Sequence, residues 1–293
     1  MRMDGQDESS NVEDVRGGGG GTGFIGGRGI GLGTIVIALV GGWIFGVNPL
    51  TILGMLSGGG QAVQTAPAPA PRAADGRPEE PEVKFVRQVL RSTEQVWTAV
   101  FQQSGKTYQP PRLRLFSNSY PTGCGQGEAA MGPFYCPADH IVYLDMNFFS
   151  VMSQRLGAPG QFAQAYVVAH EVGHHVQSLL GITDKVDAAR QRSSEAQANA
   201  VSVRVELQAD CFAGVWAKLS QAQQGWRLEQ GDIETALNAA SQIGDDNLQR
   251  KARGTVVPET FTHGTSAQRV GWFKRGFESG VPDQCNTFAA QQL

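Results

Sequence analysis

Residues 161–181 read QFAQAYVVAHEVGHHVQSLLG, and this stretch decides the fold. Phe162, Ala165, Tyr166, Val168 and Val172 recur at helical spacing and Gly181 follows as a terminator, so the pattern predicts a helix over about 161–180. On that helix His170 and His174 stand one turn apart and project from one face, where both imidazoles can reach a single Zn²⁺. Glu171 then lies beside the open coordination position, where it can accept a proton from water. With five histidines and fourteen glutamates in 293 residues, an accidental H-E-x-x-H should arise about 0.004 times in such a chain. Chance therefore does not account for it, and burying two imidazoles and a carboxylate on an otherwise apolar helix is costly unless they are paired. His175 points about 100° away from His174 and is expected at the surface or behind the ligands, not on the metal.

A catalytic zinc site usually takes three protein ligands and leaves one position open. The residues after His174 read HVQSLL, which excludes a third histidine immediately downstream. The best remaining candidate is Glu206 in VRVELQADCFAGVWA (203–217), where Asp210 follows one turn later on the same helical face. Glu206 would complete a His₂Glu ligand set, and Asp210 would accept the free N–H of a ligating imidazole and fix its tautomer. The apolar neighbours Val203, Val205, Leu207, Cys211 and Phe212 argue against a merely solvated acidic pair.

Working outward, periodicity predicts further helices over about 186–221, 231–242 and 265–279, and another from Pro81 carrying Val86, Val89, Leu90, Trp97 and Phe101 and ended by Gly105. Two strands are expected, Arg112 to Phe116 and His140 to Asp145, around a loop containing Gly123, Gly125, Gly127 and Pro133. Residues 81–293 thus read as a mainly α-helical α+β domain with a small sheet. Residues 1–33 read as a disordered, glycine-rich tail. Residues 34–56, TIVIALVGGWIFGVNPLTILGML, read as a single transmembrane helix, with no charged side chain between Arg28 and Arg72. Residues 57–80 read as a Gly/Ala/Pro linker. Arg2, Arg16 and Arg28 precede the apolar stretch, so the positive-inside bias expects a cytoplasmic N-terminus and an extracytoplasmic domain, periplasmic or on the cell surface.

The balance of 24 basic and 27 acidic side chains offers no electrostatic reason to bind nucleic acid, and the sequence assigns no oligomeric state. None of the four cysteines forms a C-x-x-C pair, which argues against a structural zinc knuckle. Three pairings are possible; Cys124 with Cys136 would close the loop between the two strands, leaving Cys211 with Cys285 by elimination. Two disulfides would suit an extracytoplasmic domain.

H-E-V-G-H (170–174) together with E-L-Q-A-D (206–210) resembles the glutamate-ligated zincins. With GPFYCPADHIVYLD (132–145), AHEVGHHVQ (169–177), ELQADCFAGVWA (206–217) and THGTSAQR (262–269) taken together, residues from about 80 to 290 resemble the bacterial neutral zinc metallopeptidase family. The resemblance implies a zincin-like fold, with His170, His174 and Glu206 as zinc ligands, Glu171 as general base and Asp210 behind the ligands. It adds His263 as a donor to the oxyanion of the tetrahedral intermediate, supported by Arg269. It also implies that the strand His140 to Asp145 is the sheet edge along which an extended substrate pairs. The function expected is a membrane-anchored zinc metalloendopeptidase acting on peptides or proteins. A tethered zinc-binding interaction module without turnover and a non-peptidase zinc hydrolase are the alternatives that the same residues allow.

Overall fold

The computed structural model describes residues 1–3, 5–16, 80–223 and 225–293. A short N-terminal strand, β1 (Val12–Asp14), precedes the long helix α1 (Pro81–Gln103), whose first turn is preset by Pro81. Then come β2 (Arg112–Phe116), the hairpin β3 (Ser119–Thr122) and β4 (Gly125–Glu128), β5 (Phe134–Cys136) and β6 (Ile141–Asp145). The rest is helical: α2 (Asn147–Gln154), α3 (Gln161–Leu179), α4 (Ile182–Arg190), α5 (Glu195–Leu219), α6 (Asp232–Gln242), α7 (Asp245–Arg253) and α8 (Ser266–Ser279). The domain is α+β and mainly helical, with a small sheet, as the periodicity predicted.

The main sheet has the order β1-β2-β6-β5, parallel except for the antiparallel β5–β6 pair. All five residues of β6 are buried, as an interior strand covered on both faces requires. The expectation that His140 to Asp145 forms the sheet edge is therefore corrected: β6 lies between β2 and β5, and the edge strand on that side is β5, with β1 at the opposite edge. β5 escaped notice because three residues are too few for an alternation to register.

Helix α3 runs through the core and contacts α1, α5, α6 and β5. Helices α5 and α8 cross in backbone contact: a Cβ added to Gly276 would lie 1.9 Å from the carbonyl oxygen of Cys211, and one on Gly214 would lie 2.1 Å from that of Phe273. The single helix expected over 186–221 is two. Ser194 caps the second, its hydroxyl accepting from the Gln197 N–H while the Gln197 side chain accepts from the Ser194 N–H, so α5 starts afresh after a turn. Two disulfides, Cys124–Cys136 and Cys211–Cys285, join the pairs expected. The first ties the β3–β4 connection to edge strand β5, and the second ties α5 to the C-terminal segment.

The disordered tail is also corrected for residues 1–3 and 5–16, which pack on the domain. Val12–Asp14 pair in register with Leu113–Leu115, Val12 and Val15 are buried, and Ser9 and Asn11 donate to the Glu94 carboxylate on α1 at 2.6 and 2.7 Å. Polar composition misled because the segment is held by specific partners on the domain and not by a core of its own. The apolar stretch 34–56 and the linker up to residue 79 lie outside the described residues; among those described, no helix is long and apolar enough to cross a membrane. Gly276→Ala is expected to destabilise the domain by at least about 1–3 kcal/mol. An unchanged denaturant midpoint would contradict the backbone contact between α5 and α8.

Candidate metal centre

The motif helix meets its partner through a glycine. A Cβ on Gly173 would approach the Ala209 carbonyl oxygen to 3.0 Å, so the smallest residue of H-E-V-G-H lets α5 lie close against α3. That approach carries Glu206 and Asp210 to the two histidines. His170 Nε2 stands 3.1 Å from Glu206 Oε2 and 3.2 Å from His174 Nε2, and His174 Nε2 is 3.6 Å from Glu206 Oε1. His170, His174 and Glu206 are the group among the described residues whose ligand atoms all converge, within 4.8 Å of one another. For bonds of the usual zinc length, the edges of a tetrahedron are about 3.3–3.4 Å, so these separations suit one tetrahedral ion.

The outward nitrogens of both rings are already used. Asp210 can only accept, so His170 Nδ1–H donates to its Oδ1 at 2.8 Å. Gln177 donates through Nε2 to the Val205 carbonyl (2.8 Å) and to Gln208 Oε1 (3.0 Å), so its own Oε1 accepts from His174 Nδ1–H at 2.9 Å. When the rings are neutral, this orientation turns both Nε2 lone pairs to one point beside the Glu206 carboxylate, where a cation would take the place of the protons that otherwise bridge the cluster. The donor set thus fits Zn²⁺.

Asp210 is wholly buried and takes four contacts. Besides His170, it accepts from Tyr166 Oη (2.5 Å) and from Arg269 through Nε (2.8 Å) and Nη2 (3.0 Å). Burial alone would raise its pKa, but the Arg269 guanidinium and then His170 bring it down to about 2. Burial would likewise keep His170 neutral, yet Asp210 and Glu206 outweigh it and raise the ring to about 10. Glu206 is opposed by burial but drawn well below the usual range by His174, His263 and the hydrogen bonds from both motif histidines. Glu171 moves the other way: burial raises it, with His170 and His174 opposing. A carboxyl shifted upward is better suited to hold and release a proton near neutrality.

A cavity of about 590 Å³ opens over this cluster. His170, Glu171, His174, Glu206 and His263 line it, together with Tyr135 of the edge strand and an apolar wall that includes Phe148, Leu156, Val167 and Leu248. The Tyr135 backbone hydrogen-bonds the Glu171 carboxylate and favours its charged form. His263 stands at the cavity with Nδ1 3.3 Å from Asp245 Oδ1. Asp245 also accepts the backbone N–H groups of Thr262, His263 and Gly264 at 2.8, 2.6 and 3.0 Å, fixing the loop that presents the ring. Arg269 lines the same cavity as His263 and acts on it through its charge, while its hydrogen bonds go to Asp210 and Tyr166. His175 is not on the surface; it is buried, with Nε2 2.6 Å from the Gln109 carbonyl and Nδ1 3.2 Å from Tyr135 Oη. Burial pushes this ring down to about 4, so it is neutral.

Gln177, Tyr166 and Asp245 were missed by sequence reasoning. Gln177 had a signal, since it lies three positions after His174 on one helix face; Tyr166 likewise precedes His170 by one turn. Asp245 had none, because only the folded loop brings it to His263.

The comparisons with known proteins agree with this geometry. The family model described as "Putative neutral zinc metallopeptidase" matches residues 1–288. The chain is 50% identical to YpfJ of Escherichia coli over 296 residues, 98% of this chain and 99% of the relative. It is 42% identical to Mb2605 of Mycobacterium bovis over 219 residues, 72% of this chain and 73% of the relative. Both relatives are described only as uncharacterized. No solved structure matches the chain. With the model spanning nearly the whole sequence, the chain belongs to the neutral zinc metallopeptidase family.

Proposed function

We propose that this chain is a membrane-associated zinc metalloendopeptidase of the glutamate-ligated zincin type, hydrolysing bonds in extended peptide or protein segments. The observation that carries the reading is the convergence of His170 Nε2, His174 Nε2 and the Glu206 carboxylate beside the Glu171 carboxylate in one cavity. His170, His174 and Glu206 would hold the ion, which when bound supplies Lewis acidity for the scissile carbonyl and lowers the pKa of water.

The chain's own residues do the rest. Glu171, raised by burial, takes a proton from the attacking water and passes it to the leaving nitrogen. Asp210 and Gln177 keep both rings in the tautomer that points Nε2 inward. His263, which is raised because Glu206 and Asp245 outweigh its burial, donates a hydrogen bond to the oxyanion. An extended substrate pairs with the outer edge of β5, beside the cavity, and the apolar wall receives a large apolar side chain. The two disulfides support a domain outside the cytoplasm, and the apolar stretch 34–56 supports contact with a membrane.

Purified full-length chain is expected to hold about one zinc per chain and to cleave an unfolded protein in a chelator-sensitive way. Binding of zinc without cleavage would defeat the peptidase reading. Glu171→Gln should keep its zinc and lose at least about 10²-fold in kcat/KM; near-normal cleavage by that variant would remove Glu171 as the base. His174→Ala should lose the metal, and unchanged zinc content would take His174 out of the ligand set. Gln177→Leu, which removes the acceptor for His174 Nδ1–H, is expected to weaken zinc affinity by about 10–100-fold, as a competitive chelator titration would read.

A further inference from the structure

We infer that residues 1–16 and residues 80–293 form one folded unit that lies on one side of any membrane the chain meets. The inference rests on described contacts alone and is independent of the reading of the site as a peptidase. The Val12–Asp14 strand is the outer member of the main sheet, hydrogen-bonded in parallel to Leu113–Leu115. The pairing continues on either side: the Leu113 N–H donates to the Asn11 carbonyl at 2.9 Å and the Val15 N–H to the Leu115 carbonyl at 3.0 Å.

Side chains secure the same placement. Arg114 pairs with Glu13 across the two strands. Arg87 Nη1 donates to the carbonyls of Ser9 and Val12 at 3.2 and 3.0 Å. Glu94, buried on α1, takes hydrogen bonds from Ser9 and Asn11 in addition to one from Arg91, so withdrawing the N-terminal segment strips the acid of two partners. At the two ends of the intervening stretch, Arg16 Nη1 and Glu80 Oε2 are 2.9 Å apart.

That last distance sets the topology. Arg16 and Glu80, the described residues on either side of 17–79, lie beside each other on the domain. A single crossing would put Arg16 and Glu80 on opposite faces of a hydrocarbon layer about 30 Å thick, and the β1–β2 ladder could not form. The cytoplasmic N-terminus with an extracytoplasmic domain, expected from the arginines before the apolar stretch, is thus replaced by one compartment for both.

All four cysteines are in disulfides, so an introduced cysteine is the one free thiol in the chain. Ser10→Cys and Lys274→Cys lie at exposed positions of the N-terminal segment and of α8. In cells producing each full-length variant, a membrane-impermeant maleimide is expected to treat the two alike: both labelled in intact cells, or both only after lysis. Labelling of one in intact cells and of the other only after lysis would overturn the inference. Amide exchange on purified full-length protein gives a second reading. Slow exchange at Leu113 and Val15 is expected, and exchange at the rate of an unprotected amide at both would overturn the strand pairing itself.

Discussion

A carboxylate with no access to water holds this site together. Asp210, on α5, is held by Arg269, Tyr166 and His170 at once, and the donors come from two other helices: Arg269 from α8, Tyr166 and His170 from successive turns of α3. A buried anion is tolerable only when its lone pairs are satisfied, so the three helices are obliged to meet where those donors can reach it. The glycines make the meeting possible. Gly173 admits α5 to α3, and Gly214 and Gly276 admit α8 to α5. The position of Glu206, one turn before Asp210 on α5, then follows from helix geometry, and its contacts with His170 and His174 add to it.

Much of the centre was legible in the sequence because it is written in helical periodicity. H-E-x-x-H and E-x-x-x-D each place their side chains on one face by spacing alone, and two such helices leave a short list of third ligands. Arg269 was read only beside His263, and its hydrogen bonds to Asp210 were not foreseen. The resemblance named it only as a support for His263, whereas the first turn of α8 also aims the guanidinium at Asp210 on α5. Asp245 was invisible for a related reason: it serves His263 from 18 positions earlier through a loop closed by its own carboxylate.

The sheet was less legible than the helices. β5 has three residues and β1 has three, too short for a period to declare itself. β1 is also polar, and its stability comes from partners far along the chain: Glu13 meets Arg114, and Ser9 and Asn11 meet Glu94. A composition argument weighs what a segment can bury by itself, and this segment is held by what others offer it. The consequence reaches the site, because β1 supports β2, β2 supports β6, and β6 supports the edge strand whose Tyr135 backbone touches Glu171.

The same ladder bears on how the protein is made. Glu13 and Arg114 are 101 positions apart, whereas the contacts between α3 and α5 at the centre span 36 and 40. Loop closure grows costlier with separation, though slowly, at about 0.6 kcal/mol for each doubling. A chain synthesised from its N-terminus therefore carries its first strand unpaired until β2 has emerged, and the helices that build the centre can associate over shorter spans. The segment made first is thus among those with the longest wait for its partners, and the outer edge of the sheet closes only when that early piece is retrieved.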